Sequence, residues 1–175
     1  MNQSSPANHL RSILIAFATV CALAFYPVSS SAAETGTETE QQSLSALEVY
    51  KDPACGCCRG WVKHMEEAGF TMGVNTSESL AAVKQKLGIE PRYQSCHTAV
   101  SASGYFFEGH IPARIIARFL LEKPEAAAGL AVPGMPMGSP GMEMGDFFNP
   151  YDIYQINRDG STEVYAQVKT AAEQY

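Results

Sequence analysis

The chain has 175 residues, 18 acidic against 12 basic, and a formal net charge of −6. That length suits one domain of ordinary size. An acidic chain without a basic patch is a poor partner for nucleic acid.

The first 33 residues read as a secretory signal peptide rather than as fold. His9 and Arg11 give a weakly basic start, and Ile13 to Phe25 is an uninterrupted apolar run. The run falls short of the about 20 residues a membrane-spanning helix needs. Small residues at Ser31 and Ala33 place cleavage before Glu34. An uncleaved membrane anchor is the alternative. Val20 is too bulky to make Cys21 a lipoprotein cleavage site. Residues 34–45, "ETGTETEQQSLS", are polar and aperiodic and read as a flexible linker. The domain itself is expected over 46–168, with 169–175 as a tail.

"LEVYK", 47–51, alternates and stops at Asp52-Pro53, which predicts a strand. From Cys57 to Ala68 the apolar residues Trp61, Val62, Met65 and Ala68 follow helical spacing, and Gly69 ends the helix. "FTMGVN", 70–75, predicts a second strand. Ser77 is a candidate N-cap for a short helix carrying Leu80, Val83 and Leu87 and closed by Gly88. "HTAVSASGYFFEG", 97–109, predicts a hairpin about Ser103-Gly104. Pro112 suits the first turn of a helix whose buried face is Ile115, Ile116, Phe119 and Leu120. A Pro/Gly/Met loop, 129–150, is long enough to suggest function. A final hairpin, 151–168, turns near Asp159-Gly160. The order β-α-β-α-β-β-α predicts an α/β, thioredoxin-like domain: a central mixed sheet flanked by helices, plus the Met-rich loop and a C-terminal β-hairpin.

Cleavage of the signal leaves Cys55, Cys57, Cys58 and Cys96. Export makes disulfides the first reading. Cys55–Cys58 is the ordinary C-x-x-C pair and leaves Cys57 for Cys96. The triplet falls at the start of a helix, where about half a positive charge favours thiolates; Lys51 and Arg59 add to this. Redox and metal chemistry both fit. A disulfide oxidoreductase needs an attacking and a resolving thiol, and a third thiol competes. A soft metal gains from every added thiolate. In thioredoxin-like folds the loop before the third strand lies against the cysteine helix. Here that loop is "QSCHTAV", 94–100, so Cys96 should face the triplet.

Adjacent Cys57 and Cys58 fit one tetrahedral zinc poorly. Four thiolates around a single Cu(I) leave a surplus of negative charge that is costly to bury. Several Cu(I) ions sharing sulfurs remove it, so a multinuclear Cu(I)–thiolate cluster is favoured. His97 is a secondary metal contact or a support for one. Met135, Met137, Met142 and Met144 offer either copper-binding thioethers or flexible packing. His64 reads as a surface residue and His110, in "EGHIP", as a cap or orienting group. No Ser/His/Asp grouping and no phosphate loop stands out, so no catalytic residue or organic cofactor is assigned.

"YKDPACGCCRGWVKHMEEAGF", "SCHTAV", "EGHIPA" and "GLAVPGMPMGSPGME" resemble a bacterial family of exported, thioredoxin-like metal-binding proteins with copper-resistance members. The similarity covers roughly residues 47–167. It implies periplasmic copper handling, with Cys55, Cys57, Cys58 and Cys96 as the copper-binding set. It also implies interconversion of Cu(I) and Cu(II) while the thiols cycle. Thioredoxins place a cis-proline beside the active site, and 94–100 contains no proline, which argues against a general dithiol role. The expectation is a periplasmic protein that holds Cu(I) and contributes to copper resistance. Its partners would be copper ions and other periplasmic copper-handling proteins, not nucleic acid, and not the membrane once the signal is cleaved. The alternatives are a thiol–disulfide oxidoreductase using Cys55 and Cys58, and a zinc or structural-disulfide module.

Overall fold

In the computed structural model, which describes residues 46–175, strands and helices alternate through the first half of the chain. The expected signal peptide and linker lie outside the described residues. Strand β1 (Ala46–Lys51) leads into helix α1 (Gly56–Glu67), strand β2 (Thr71–Asn75) and helix α2 (Leu80–Lys86). A 3-10 turn at Pro91–Tyr93 precedes β3 (His97–Ser101), β4 (Phe106–Glu108) and helix α3 (Ala113–Glu122). Strands β5 (Ala127–Ala131), β6 (Tyr151–Asn157) and β7 (Thr162–Val168) follow, and a 3-10 turn, Ala171–Gln174, comes last. No helix among the described residues is long and apolar enough to cross a membrane.

The strands form one mixed sheet in the order β2-β1-β3-β4-β5-β6-β7. β1 is parallel to β2 and antiparallel to β3, and β4 is parallel to β5. Parallel neighbours need a crossover, which α1 and α3 supply. Successive strand residues point to opposite faces. Phe107 accordingly joins Trp61, Met65, Ile116 and Phe119 in one core, while Phe106 joins Ile89, Tyr93 and Ile156 in another. Burial of side chains such as Phe107 and Phe119 contributes about 1.5–3 kcal/mol each.

Two polar contacts fix α1 to the start of α3. Trp61 Nε1 donates to the Ile111 carbonyl at 2.8 Å, and the Ala113 N–H donates to His64 Nε2 at 3.0 Å. The second caps a helix whose N-cap residue, Pro112, offers no side-chain acceptor. His64 is therefore a half-buried cap, its pKa lowered chiefly by burial, rather than a surface residue.

Two sequence expectations are corrected. The N-cap of α2 is Ser79, whose Oγ accepts the Ala82 N–H, whereas Ser77 bonds Asn75 Oδ1 in the turn after β2. The Met-rich loop does not start at 129, because 129–131 belong to β5. "AAGLA" hides that strand: four of its five residues are buried, so it shows no apolar/polar alternation. Residues 169–175, expected as a tail, include the 3-10 turn Ala171–Gln174, and Gln174 is buried.

Candidate functional site

The Asp52-Pro53 turn sets the first cysteine. Asp52 Oδ1 accepts the Ala54 N–H at 2.7 Å and its carbonyl accepts the Cys55 N–H at 3.1 Å. Cys55 thereby becomes the N-cap of α1, its sulfur accepting the Cys58 N–H at 3.3 Å. Cys57 and Cys58 fall in the first helical turn. Cys55 and Cys58 are joined as a disulfide, and Cys57 and Cys96 are free thiols. The Cys57–Cys96 bridge that the cysteine count allowed is not formed.

Sheet register delivers the fourth sulfur. Lys51, the last residue of β1, pairs with His97, the first of β3. Cys96 must then sit just past the end of β1, where α1 begins. Its sulfur lies 3.5 Å from Cys58 Sγ, and Cys57 Sγ lies 3.5 Å from Cys55 Sγ. All four sulfurs are within 4.8 Å of one another.

A buried carboxylate holds this loop. Glu108 Oε1 accepts the Ser95 N–H at 2.6 Å and pairs with Lys84 Nζ, and Oε2 accepts the Thr98 hydroxyl at 2.6 Å. Lys84 also donates to the Ser95 carbonyl at 3.1 Å. Cys96 and His97 are thus bracketed on both sides by one carboxylate. Breaking a buried pair of this kind leaves an uncompensated charge.

Two imidazoles complete the surroundings of Cys96. His110 Nδ1 faces the Pro140 carbonyl at 2.8 Å and must donate to it. Burial lowers the His110 pKa, so the ring is neutral and Nε2 carries a lone pair. That nitrogen lies 3.0 Å from Cys96 Sγ. His97 Nδ1 is 3.4 Å from the same sulfur, and its Nε2 is buried with no hydrogen-bond partner among the described residues. Burial, then the neighbouring His110 and Lys84, push the His97 pKa well down. Trp61 packs on the His97 ring at 4.3 Å between centroids. The Cys96 thiol is pushed up to about 11, first by burial and then by Cys57. Cys96, His97 and His110 form a second group able to hold a metal ion, and Cys96 belongs to both groups.

The Met-rich loop meets this site through its backbone. Besides the Pro140 carbonyl, Gly141 (φ +82°) lies so close to α1 that a Cβ there would stand 2.4 Å from the Trp61 nitrogen and 2.6 Å from the Cys57 carbonyl. Met135 and Met144 are 54% and 62% exposed, Met137 is also exposed, and Met142 is half-buried. The sequence reading underrated His110. A usable signal was the glycine before it: Gly109 (φ +81°) turns the chain as β4 ends and aims the next ring inward.

These features define an α/β protein carrying a cysteine group able to bind metal. Two solved structures of copper resistance protein CopG, designated Form 1 and Form 2, are similar to it at 43% and 42% identity. They cover 70% and 71% of this chain and 96% and 98% of their own, each with a TM-score of 0.66. The chain belongs to the family of that copper resistance protein. A family model described as "Protein of unknown function, DUF411" matches residues 93–142, which include Cys96, His97 and His110. No curated protein matches the chain.

Proposed function

We propose that this is a periplasmic protein that holds Cu(I) as a multinuclear cluster on Cys55, Cys57, Cys58 and Cys96 and contributes to copper resistance. The carrying observation is the convergence of four sulfurs within 4.8 Å. A metal–thiolate bond of about 2.3 Å lets one ion join sulfurs up to about 4.6 Å apart. Identity with the copper resistance structures supports copper as the metal. The strand order β2-β1-β3-β4, with β3 antiparallel to both of its neighbours, supports the thioredoxin-like reading.

The disulfide gives the site a redox state. An external dithiol that is itself oxidised to a disulfide supplies two electrons and two protons to the Cys55–Cys58 bond, and loss of the thiol protons to solvent then gives four thiolates. In the reverse direction, Cys55 and Cys58 thiolates each lose one electron, two Cu(II) become two Cu(I), and the S–S bond forms. His97 and His110 border the sulfur that joins the two groups, and their neutral nitrogens suit copper. The exposed Met135, Met137 and Met144 serve as neutral thioether stations for Cu(I) uptake, and the half-buried Met142 offers a fourth.

The Cys55–Cys58 disulfide favours one further reading, a thiol–disulfide oxidoreductase. Anaerobic Cu(I) titration of the reduced protein separates the two. More than one copper per chain, lost stepwise in Cys55→Ser and Cys57→Ser, supports the cluster. Tight binding of one zinc with no avidity for Cu(I), or insulin reduction that survives Cys57→Ser and Cys96→Ser, overturns it. Met→Leu changes at 135, 137 and 144 should slow uptake and leave the final copper count unchanged.

A further inference from the structure

Gln174 is the penultimate residue of the chain, yet it is only 1% exposed. Its Oε1 accepts the Tyr151 hydroxyl at 2.7 Å, and its Nε2 donates to the Gly138 carbonyl at 2.9 Å. Tyr175, beside it, donates its hydroxyl to Glu143 Oε1 at 2.9 Å, and that same oxygen accepts the Gly141 N–H at 3.0 Å. The last two residues therefore hold both sides of the 138–143 turn. This turn touches the cysteine site, with Gly141 on the backbone of Cys57 and Trp61 and the Pro140 carbonyl on His110.

We infer that residues 171–175 form a latch that keeps the 138–143 turn seated against the cysteine helix, and that Gln174 is its positioning residue. Apart from the bond from His110 Nδ1 to the Pro140 carbonyl, the turn's other bonds are short-range: Gly138 N–H to the Met142 carbonyl, Met142 N–H to the Ser139 carbonyl, Ser139 N–H to the Pro136 carbonyl. They shape the turn but do not tie it to the sheet. Gln174 does, through Tyr151 at the start of β6. A turn in a long loop, fastened from outside by a few buried bonds, opens locally when they are removed, without global unfolding. Opening lifts the Gly141 backbone off the Cys57 carbonyl, exposes the half-exposed Cys57 further, and lets His110 lose its carbonyl partner. The latch thus sets how fast small solutes, among them copper donors and acceptors, reach the thiols. Its purpose rests on the copper reading; its test does not.

The test is the alkylation rate of Cys57 and Cys96 by iodoacetamide in the reduced, metal-free chain. Gln174→Ala should raise the rate about tenfold, and deletion of 171–175 at least as much, because a lost buried side-chain bond opens the loop by about that factor. Tyr175→Phe, which removes only the bond to Glu143 and leaves the fold intact, should raise it about twofold to threefold. Circular dichroism and near-ultraviolet tryptophan spectra identify the variants that remain folded. Faster labelling in folded variants supports the latch whether or not the wild-type chain takes up copper. Wild-type labelling rates in folded variants overturn it, even if copper binds normally.

Discussion

On one side of Cys96 stand three sulfurs supplied by four consecutive positions of chain; on the other stand two imidazoles separated by a hairpin. The sulfur side is assembled by local rules: an Asx turn, an N-cap and one helical turn. The imidazole side exists only because the sheet register and a buried ion pair place it. The two sides also differ in chemistry. On the sulfur side, Cys55 and Cys58 are joined as a disulfide while Cys57 is a free thiol, so these sulfurs hold two different states. The imidazoles are held neutral by burial and fixed by ring packing and a carbonyl. A changeable half thus rests against a fixed one, and Cys96 is their common edge.

The largest effect expected from separating the halves comes from Glu108. Glu108→Ala strips Lys84, Ser95 and Thr98 of their shared partner and should cost about 3–5 kcal/mol in urea unfolding. The α1 cap and the Cys55–Cys58 bond should survive. Stability equal to wild type would mean that the imidazole half is not supported from below. Next, His110→Ala should weaken Cu(I) about 10–100-fold in a competition titration while every cysteine still labels after reduction. Unchanged affinity would confine copper to the sulfur half.

A smaller effect is expected at the seam with the loop. A Cβ on Gly60 would stand 2.9 Å from Gly141 Cα, which is backbone and cannot rotate away. Gly60→Ala should therefore cost about 1–3 kcal/mol and shift Trp61 fluorescence. An unaltered melt and spectrum would show that the loop does not press on α1.

The smallest effect is pH dependence. His97 and His110 have folded pKa values below their ordinary ones, so below about pH 6.5 the unfolded chain takes protons that the folded chain refuses. Their contribution to stability is complete above that pH and is lost as pH falls toward the folded pKa values. The slope is at most about 1.4 kcal/mol per pH unit for each ring. Denaturation of the metal-free protein across that range reads it directly, and a flat profile contradicts the neutral assignment. Copper affinity should fall in the same direction, because the Cys96 thiol, pushed up to about 11, must release its proton to solvent when the metal binds.

How much of this was legible in the sequence follows the same division. The cysteine helix could be read because caps, turns and 3.6-residue periodicity are local signals. The approach of Cys96 could be read once strand order was inferred, since register alone carries residue 96 to the mouth of α1. His110, Glu108 and Gln174 could not be weighted properly. Each matters through a partner 14 to 36 residues away, at Cys96, Lys84 and Gly138. No spacing rule links a penultimate glutamine to a loop carbonyl. β5 escaped because "AAGLA" lacks both alternation and β-branched residues. The Ser77 and Ser79 caps differ by two positions, and only the Asn75 side chain, which binds Ser77, decides between them.

The shared role of Cys96 is tested most directly by comparing Cys96→Ser with Cys57→Ser in anaerobic Cu(I) titrations of reduced protein. Cys96 belongs to both donor groups and Cys57 to one, so Cys96→Ser should lose more copper per chain and more affinity than Cys57→Ser. A Cys96→Ser protein that keeps the full copper count at wild-type affinity would contradict the account.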